Sequence, residues 1–244
     1  MAIEGIIFDL YGTLIDIETD ESLEEIYIAI ANFLTYEGIF VGSNQVRELY
    51  WQILKTQKEE SIERYPEIDV LSIWDCFLKH NRVHSASVRK RISSILSHMF
   101  RGIARKRLQL YPGVIDVLER LRSSYRMGIV SDAQRSYALS EMRAVGLGNY
   151  FDPIIISANS GYRKPDKRIF AEALEGMKLK PPQAIYVGND MYRDIYGASR
   201  AGIKTIFVHS NQGDKSYGRV NPDYYVWRFE ELYAAIEFIS CSVT

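Results

Sequence analysis

The sequence predicts an α/β protein whose three-layer, Rossmann-like core is built on a parallel sheet and carries an inserted all-α domain. A short apolar run rich in β-branched residues opens the chain at residues 3–10. After residue 110, strand-like runs alternate with helical patterns, as they do in parallel sheets that are covered on both faces. Residues 16–109 have helical periodicity instead, which indicates an insertion into the core.

Each element follows from its pattern of apolar residues. The first run ends on Tyr11-Gly12-Thr13, which is typical of a buried strand that enters a turn. Helical spacing recurs later at residues 114–121, 167–177 and 194–201. Strands are expected at residues 127–131, 153–157, 184–188, 204–208 and 224–226. We therefore assign residues 1–15 and 110–244 to the core and residues 16–109 to the inserted domain.

Composition limits the classes of partner. The 244-residue chain has 30 basic and 31 acidic residues, so it lacks the broad positive field that recruits nucleic acid or anionic lipid. We expect the one basic stretch, residues 101–107, to be the solvated end of a helix. The two cysteines lie far apart and suggest neither a disulfide framework nor a zinc site. No apolar run reaches the ~20 residues that span a bilayer and no signal peptide is evident, so we expect a cytoplasmic protein.

Polar side chains follow the predicted strands at the points where they end. Asp9 comes after the first strand and Ser131 after the second, while Lys164 lies near the third. Asp190 and Asp194 follow the fourth. Because ligands of open parallel sheets bind at the carboxyl ends of the strands, these groups are expected to form one site for a small anionic molecule.

Four segments carry a resemblance to a known family. In order along the chain they are FDLYGTL (from Phe8), IVSD (from Ile129), YRKPD (from Tyr162) and VGNDMYRD (from Val187). They resemble the four motifs of the haloacid dehalogenase superfamily, and the resemblance covers essentially the whole chain. It implies a hydrolase in which Asp9 attacks the substrate and forms a covalent aspartyl intermediate. The helical insertion would then be a cap that closes over the site and selects the substrate.

The resemblance also implies roles for the surrounding residues. Lys164 would neutralise the charge of Asp9 and of the substrate anion together. Ser131 would donate a hydrogen bond to a substrate oxygen, and the hydroxyl of Thr13 would orient the nucleophile loop. Further contacts to the substrate are expected from Asp132 and from backbone amides of the loop at Leu10, Tyr11 and Gly12.

A magnesium ion is the cofactor that the acidic fourth motif suggests. The expected ligands are Asp9, Asp190 and the backbone carbonyl of Tyr11, with waters completing an octahedron. Asp194 would bind a water or stand in the outer shell, and Asn189 could contribute in either position.

The first motif departs from the phosphatase pattern, in which a second Asp stands two residues after the nucleophile. That position is Tyr11 here, and a phenol with a pKa near ~10 is a poor general base at neutral pH. FDLYGTL is instead similar to the first motif of L-2-haloacid dehalogenases, which use no metal and need a cap arginine to hold the halide; Arg47 is the candidate. The dehalogenase tyrosine six residues after the lysine corresponds to Phe170, a further departure.

Four functions therefore stay open. The favoured one is a magnesium-dependent phosphatase of small phosphorylated metabolites, and the main alternative is a metal-independent 2-haloacid dehalogenase. Another phosphoryl-cleaving reaction and a non-catalytic, ligand-binding member of the family complete the set. The protein is expected to be a monomer or a homodimer, with no nucleic-acid partner.

Overall fold

The computed structural model describes residues 2–242, with the side chain of Ser242 excepted. The strands are β1 (Gly5–Phe8), β2 (Ile15–Thr19), β3 (Arg105–Leu110), β4 (Arg126–Ser131), β5 (Ile154–Ile156), β6 (Ala184–Gly188), β7 (Lys204–Val208) and β8 (Tyr224–Val226). The α-helices are α1 (Glu24–Tyr36), α2 (Ser43–Glu59), α3 (Val70–His80), α4 (Ala86–Ala104), α5 (Val114–Leu121), α6 (Arg135–Ala144), α7 (Ser157–Ser160), α8 (Lys167–Met177), α9 (Gly197–Arg200) and α10 (Leu232–Ser242). Shorter 3₁₀ turns lie at Pro181–Gln183 and Phe229–Glu231, and a π-helical segment spans Met191–Tyr196.

Six strands form one parallel sheet in the order β5-β4-β1-β6-β7-β8. All four residues of the central strand β1 are buried. Its alternate side chains enter different cores, because successive residues of a strand point to opposite faces. Ile6 packs in the cluster that contains Leu118 of α5 and Ile236 of α10, whereas Ile7 packs in the cluster that contains Phe170 of α8. Helices therefore cover both faces, and the predicted three-layer α/β core is confirmed.

Helices α1 to α4 have a hydrophobic core of their own, which surrounds the aromatic rings of Tyr50, Trp74 and Phe100. The ring centroid of Tyr50 lies 4.7 Å from that of Phe100 and 4.8 Å from that of Trp74. Aromatic residues at helical spacing thus bury one face of each helix, as amphipathic periodicity requires. We call this group of helices the cap.

A two-stranded antiparallel ribbon, β2 with β3, joins the cap to the sheet and was not predicted. Ile15 pairs with Leu110, so both predicted domain boundaries fall within this ribbon. The apolar alternation in the ribbon is short: Ile15 and Ile17 pair with Leu110 and Leu108 and pack against the core of the sheet domain, while ion pairs lie on the alternate positions. The guanidinium of Arg107 lies 2.8 Å from a carboxylate oxygen of Asp16 and 2.7 Å from one of Glu18. The domain boundaries themselves stay predictions.

Between residues 2 and 242, no helix is long and apolar enough to cross a membrane.

Candidate active site

Three charged side chains meet in the interior at the carboxyl end of the sheet. The ammonium of Lys164 lies 2.6 Å from Oδ1 of Asp9 and 2.6 Å from Oδ1 of Asp194. The side chain of Lys164 is only 3% exposed. Burial by itself lowers the pKa of Lys164, but the carboxylates of Asp194 and Asp9 outweigh it and raise the pKa above its ordinary value. The lysine is therefore charged and shared by two carboxylates.

Asp194 has hydrogen-bond donors on both of its oxygens. Its Oδ1 also accepts from the hydroxyl of Tyr186 at 3.0 Å, and its Oδ2 accepts from the backbone amides of Asn189 and Asp190 at 3.1 and 3.0 Å. Burial raises the pKa of Asp194 to about 6, although Lys164 opposes this shift. Because both oxygens of Asp194 accept hydrogen bonds from the protein, this carboxylate is poorly placed to coordinate a metal ion.

The nucleophile loop turns sharply after Asp9 because Gly12 adopts a positive φ of 87°. A Cβ at Gly12 would lie 2.4 Å from Nδ2 of Asn189, so only glycine lets that side chain approach. The hydroxyl of Thr13 lies 3.1 Å from Oδ2 of Asp9 and 3.1 Å from Oδ1 of Asn189. This agrees with the predicted role of Thr13 in orienting the loop. The amide of Gly12 donates to the carbonyl of Ile15 at 2.8 Å, so the expectation that this N–H faces an anion is corrected.

Ser131 is the last residue of strand β4, which lies next to β1 in the sheet, and Asp132 follows it. The hydroxyl of Ser131 is buried and has no hydrogen-bond partner in the part of the chain that the structure describes. A buried hydroxyl without a partner is free to donate a hydrogen bond to a substrate oxygen, as the sequence predicts for Ser131. Asp132 differs from the expectation of a substrate contact: its carboxylate accepts from the backbone amide of Lys164 at 2.9 Å and from Nε of Arg163 at 3.4 Å. It therefore holds the loop that presents the lysine.

Asp190 caps the π-helical segment instead of facing Asp9. Its Oδ1 accepts from the amides of Tyr192 and Arg193 at 3.0 and 2.7 Å, and its Oδ2 accepts from Nε of Arg193 at 2.9 Å and from the amide of Asp214 at 3.2 Å. Burial raises its pKa, but these contacts outweigh burial and the pKa is lowered. The metal ligands expected at Asp9, Asp190 and the carbonyl of Tyr11 stay a prediction, and the fourth-motif side chain that contacts Thr13 is Asn189, at 3.1 Å.

Asn189 has its orientation fixed by two contacts from its amide nitrogen. That nitrogen donates to the hydroxyl of Ser210 at 3.2 Å and to the carbonyl of Gln212 at 3.0 Å, which leaves the amide oxygen toward Thr13. Thr13 has a single hydroxyl hydrogen for two acceptor oxygens, one on Asn189 and one on Asp9. The residues that the structure describes hold no cluster of three or more His, Cys, Asp or Glu able to bind a metal. A metal here would depend on amide and backbone oxygens as well.

The side chain of Tyr11 is engaged between the core and the cap. Its hydroxyl donates a short hydrogen bond to the carboxylate of Glu141 on α6. The guanidinium of Arg101, on α4 of the cap, binds both oxygens of the same carboxylate at 2.7 and 3.1 Å. Burial and the charge of Glu141 raise the pKa of Tyr11 well above its ordinary value, so its phenol stays protonated. Tyr11 therefore cannot replace the general base that phosphatases of this family usually have at its position.

Two predicted contacts have no counterpart in the geometry and stay predictions. Arg47 is exposed on α2, where its guanidinium lies 5.5 Å from the ring centroid of Tyr27. The side chain of Leu10 is fully buried, and its carbonyl accepts from the amides of Leu14 and Ile15. Anion binding by the amides of Leu10 and Tyr11 is likewise a prediction.

Local sequence patterns contain little sign of three residues that shape the site. Tyr186 lies in an apolar strand, and a polar hydroxyl at a buried strand position was the signal that could have drawn attention to it. Glu141 and Arg101 are 40 residues apart and belong to core and cap, so no local pattern joins them. Arg101 was also expected at a solvated helix end, yet its side chain is only 16% exposed.

Comparison with known proteins supports a family assignment. The chain matches the model of the haloacid dehalogenase-like hydrolases over residues 6–208. A glyceraldehyde 3-phosphate phosphatase of Methanothermobacter thermautotrophicus is 36% identical over 104 residues, which are 42% of this chain and 46% of that protein. The chain thus spans about half the length of this relative or less. Pyrophosphatase PpaX of Halalkalibacterium halodurans is 25% identical over 235 residues, 95% of this chain and 96% of that protein.

Among solved structures, a 2-haloacid dehalogenase from Pseudomonas syringae pv. Tomato superposes with a TM-score of 0.68 at 22% identity. The match covers 97% of this chain and 99% of the other, and it shows a shared fold. The family model covers most of the sequence, and the motifs that carry the resemblance lie together at one edge of the sheet. The chain belongs to the haloacid dehalogenase-like hydrolase family.

Proposed function

We propose that this hydrolase is a magnesium-dependent phosphatase of small phosphorylated metabolites that works through a covalent phosphoryl ester of Asp9. The observation that carries the proposal is the buried contact of Lys164 with both Asp9 and Asp194. The relatives named phosphatase and pyrophosphatase support the same chemistry for this chain. Family membership alone does not select it, because one fold supports several reactions.

The charge around the nucleophile argues for a divalent cation. Lys164 offsets only one of its two carboxylate partners, so the group of three carries one negative charge in excess. Arg193 is likewise used by Asp190, from which it is 2.9 Å distant. An approaching phosphate would be repelled by this excess charge. A bound divalent cation reverses the sign and makes the site attractive to an anion.

The oxygen atoms near Asp9 fit magnesium, which prefers hard oxygen ligands and keeps several waters. The residues that would hold it are Asp9, Asn189 through its amide oxygen, and Tyr11 through its backbone carbonyl. Asp190 and Asp194 are occupied by donors of the protein itself and would act from outside the coordination shell. When bound, magnesium would neutralise charge on the transferring phosphoryl group.

The residues of the chain then divide the remaining work. Ser131 donates its unpaired hydroxyl to a phosphoryl oxygen, and the ammonium of Lys164, 2.6 Å from Asp9, offsets the charge of the substrate. An oxygen of Asp9 bonds to phosphorus as the bond from phosphorus to the leaving oxygen breaks. The leaving oxygen takes a proton from solvent. Water then attacks the phosphorus, loses a proton to solvent, and releases inorganic phosphate and the free carboxylate of Asp9.

Protonation of the leaving group is the step that this site supports least. Tyr11, at the position of the usual acid, is committed to Glu141. Loss of a general acid typically costs ~10²–10⁴-fold in rate, and the cost falls as the leaving group becomes less basic. We therefore expect aryl and acyl phosphates to be hydrolysed faster than sugar phosphates.

A metal-independent 2-haloacid dehalogenase is the second candidate. It is favoured by the occupied carboxylates of Asp190 and Asp194, which leave Asp9 as the one open acidic ligand of the predicted metal set. In that reaction Asp9 would attack the carbon that bears the halogen and release halide.

One experiment separates the two candidates. Phosphate release from aryl, acyl and sugar phosphates is measured with magnesium and again with a chelator, while a parallel sample follows halide release from L-2-chloropropionate. The proposal expects phosphate release that the chelator abolishes and no halide. Asp9→Asn should remove it, while Asp20→Asn, the same change just after strand β2 at a side chain that is 29% exposed, should not. Halide release that persists with chelator would replace the phosphatase by the dehalogenase, and silence in both samples would overturn both.

A further inference from the structure

One contact joins the nucleophile loop, the core and the cap. The carboxylate of Glu141, on α6, accepts hydrogen bonds from Tyr11 of the loop and from Arg101 of α4. The guanidinium of Arg101 also lies 5.5 Å from the ring centroid of Tyr11 and 5.1 Å from that of Tyr137. The position that normally supplies proton transfer in phosphatases of this family therefore holds a side chain bound to Glu141, the residue that Arg101 contacts from across the domain boundary.

Burial makes this contact stronger than a surface ion pair. The side chains of Glu141 and Arg101 are 5% and 16% exposed, and the pair is bidentate. Removing one partner would leave a buried charge without compensation, which costs far more than the loss of an exposed pair. The hydroxyl of Tyr11 adds a third group that depends on the same carboxylate.

Helix α4 is otherwise a cap helix, with Leu96 and Phe100 in the hydrophobic core of the cap. Its C-terminal half nevertheless reaches α6 of the sheet domain. His98 contacts the carbonyl of Ser136 at 3.3 Å, and Arg101 binds Glu141 one turn further along. If α4 moved with the cap, Arg101 would leave Glu141, and the buried carboxylate that binds Tyr11 would lose its cation.

We propose that Arg101 and Glu141 are positioning residues that fix the nucleophile loop through the Tyr11 hydroxyl, so that seating of the cap and alignment of Asp9 are one event. Tyr11 is two residues from Asp9, and the next residue, Gly12, packs closely against Asn189. The loop is held at Asp9 by Lys164 and at Tyr11 by Glu141, whose carboxylate is in turn bound by Arg101 of the cap. The inference rests on the hydrolase function proposed above and adds the means by which the cap controls it.

A positioning role has a kinetic signature that differs from substrate binding. Arg101 and Tyr11 act on the loop and are occupied by Glu141, so their loss should lower kcat more than it changes KM. Both act through the same carboxylate, so their effects should not multiply.

The test uses the full chain with Tyr11→Phe, Arg101→Ala, Arg101→Lys, and the double variant Tyr11→Phe/Arg101→Ala, assayed on an aryl phosphate. Each of the first two is expected to lower kcat by about ten- to hundredfold, with the double variant close to the worse single one. Arg101→Lys keeps the charge and should recover part of the loss. Arg91→Ala is the matched control: Arg91 is also on α4 and binds Glu37 with both guanidinium nitrogens, but Glu37 belongs to the cap.

Hydrogen exchange of the loop amides at residues 10–13 gives a readout that needs no turnover. Tyr11→Phe and Arg101→Ala should speed this exchange, whereas Arg91→Ala should leave it at the wild-type rate. Wild-type exchange and kcat in Tyr11→Phe, or losses that multiply in the double variant, would overturn the proposal. If the wild-type protein lacked activity on all substrates, the proposed function would fail while the exchange data still decided the positioning role.

Discussion

Lys164→Met tests the electrostatic core of the site, because it removes the one cation that two buried carboxylates share. Removing one partner of a buried ion pair costs about 3–5 kcal/mol. Asp194 would still accept from Tyr186 and from two backbone amides, but Asp9 would keep only the hydroxyl of Thr13. We therefore expect a loss of about 4–5 kcal/mol in the free energy of unfolding. The catalytic loss should be at least ~10²-fold, because a fixed charge at the reacting group is removed.

The cause can be isolated with a second substitution. Lys164→Met/Asp194→Asn restores the wild-type excess of one buried negative charge, so it should recover about 1–3 kcal/mol of stability without restoring turnover. Lys106→Met is the matched control, since Lys106 pairs with Asp20 on the surface and is 47% exposed; it should cost less than about 1 kcal/mol. Urea unfolding followed by fluorescence measures all three. A loss below about 1 kcal/mol in Lys164→Met, or a double variant less stable than Lys164→Met, would refute the charge argument.

Three further outcomes follow from the same geometry. Asp9→Asn should abolish turnover and keep the circular dichroism spectrum of the wild type; residual wild-type activity would mean that another group attacks. Gly12→Ala places a Cβ 2.4 Å from Asn189 at a φ of 87°, so it should cost about 1–3 kcal/mol in unfolding experiments and lower kcat; a neutral result would contradict the packing of the loop. Burial raises the pKa of Glu67 above 4.5 despite its bond from Ser157, so the folded state holds the proton more tightly than the unfolded chain. Its contribution to stability is thus complete below pH 4.5 and lost as pH rises through the raised pKa, and Glu67→Gln should flatten that decline; an unchanged slope between pH 4.5 and neutrality would contradict it.

The sheet could be predicted because burial of a strand on both faces leaves a direct trace in sequence. The strands at residues 184–188, 204–208 and 224–226 have the predicted bounds, as do the helices at 114–121 and 167–177. Their apolar residues recur with the period of the element that buries them. The β2–β3 ribbon has only a weak trace, because its apolar alternation is limited to Ile15 and Ile17 on one strand and Leu108 and Leu110 on the other.

The location of the site could be predicted more readily than the contacts of its side chains. Asp9, Lys164 and Asp194 come together because parallel strands end at one edge of a sheet. Which of two adjacent residues faces the nucleophile depends on the backbone at the strand end, and the sequence could not show that Asn189 is inward and Asp190 caps a helix.

The contacts of Tyr11 were beyond the reach of local patterns for a different reason. Its partners lie on α4 and α6, and their approach is set by how the cap sits on the core. From sequence, Tyr11 could only be recognised as a departure from the phosphatase pattern. The structure shows that the tyrosine at this position donates a hydrogen bond to Glu141.

The covalent role of Asp9 is the central claim, and rapid quenching with an aryl phosphate tests it most directly. The reaction is stopped within the first turnover, treated with borohydride to reduce any acyl phosphate to an alcohol, and digested for peptide mass mapping. The account predicts that residue 9 alone is converted to homoserine, in the wild type with magnesium and not in Asp9→Asn. Full turnover without conversion at residue 9, or conversion at a different carboxylate, would contradict it.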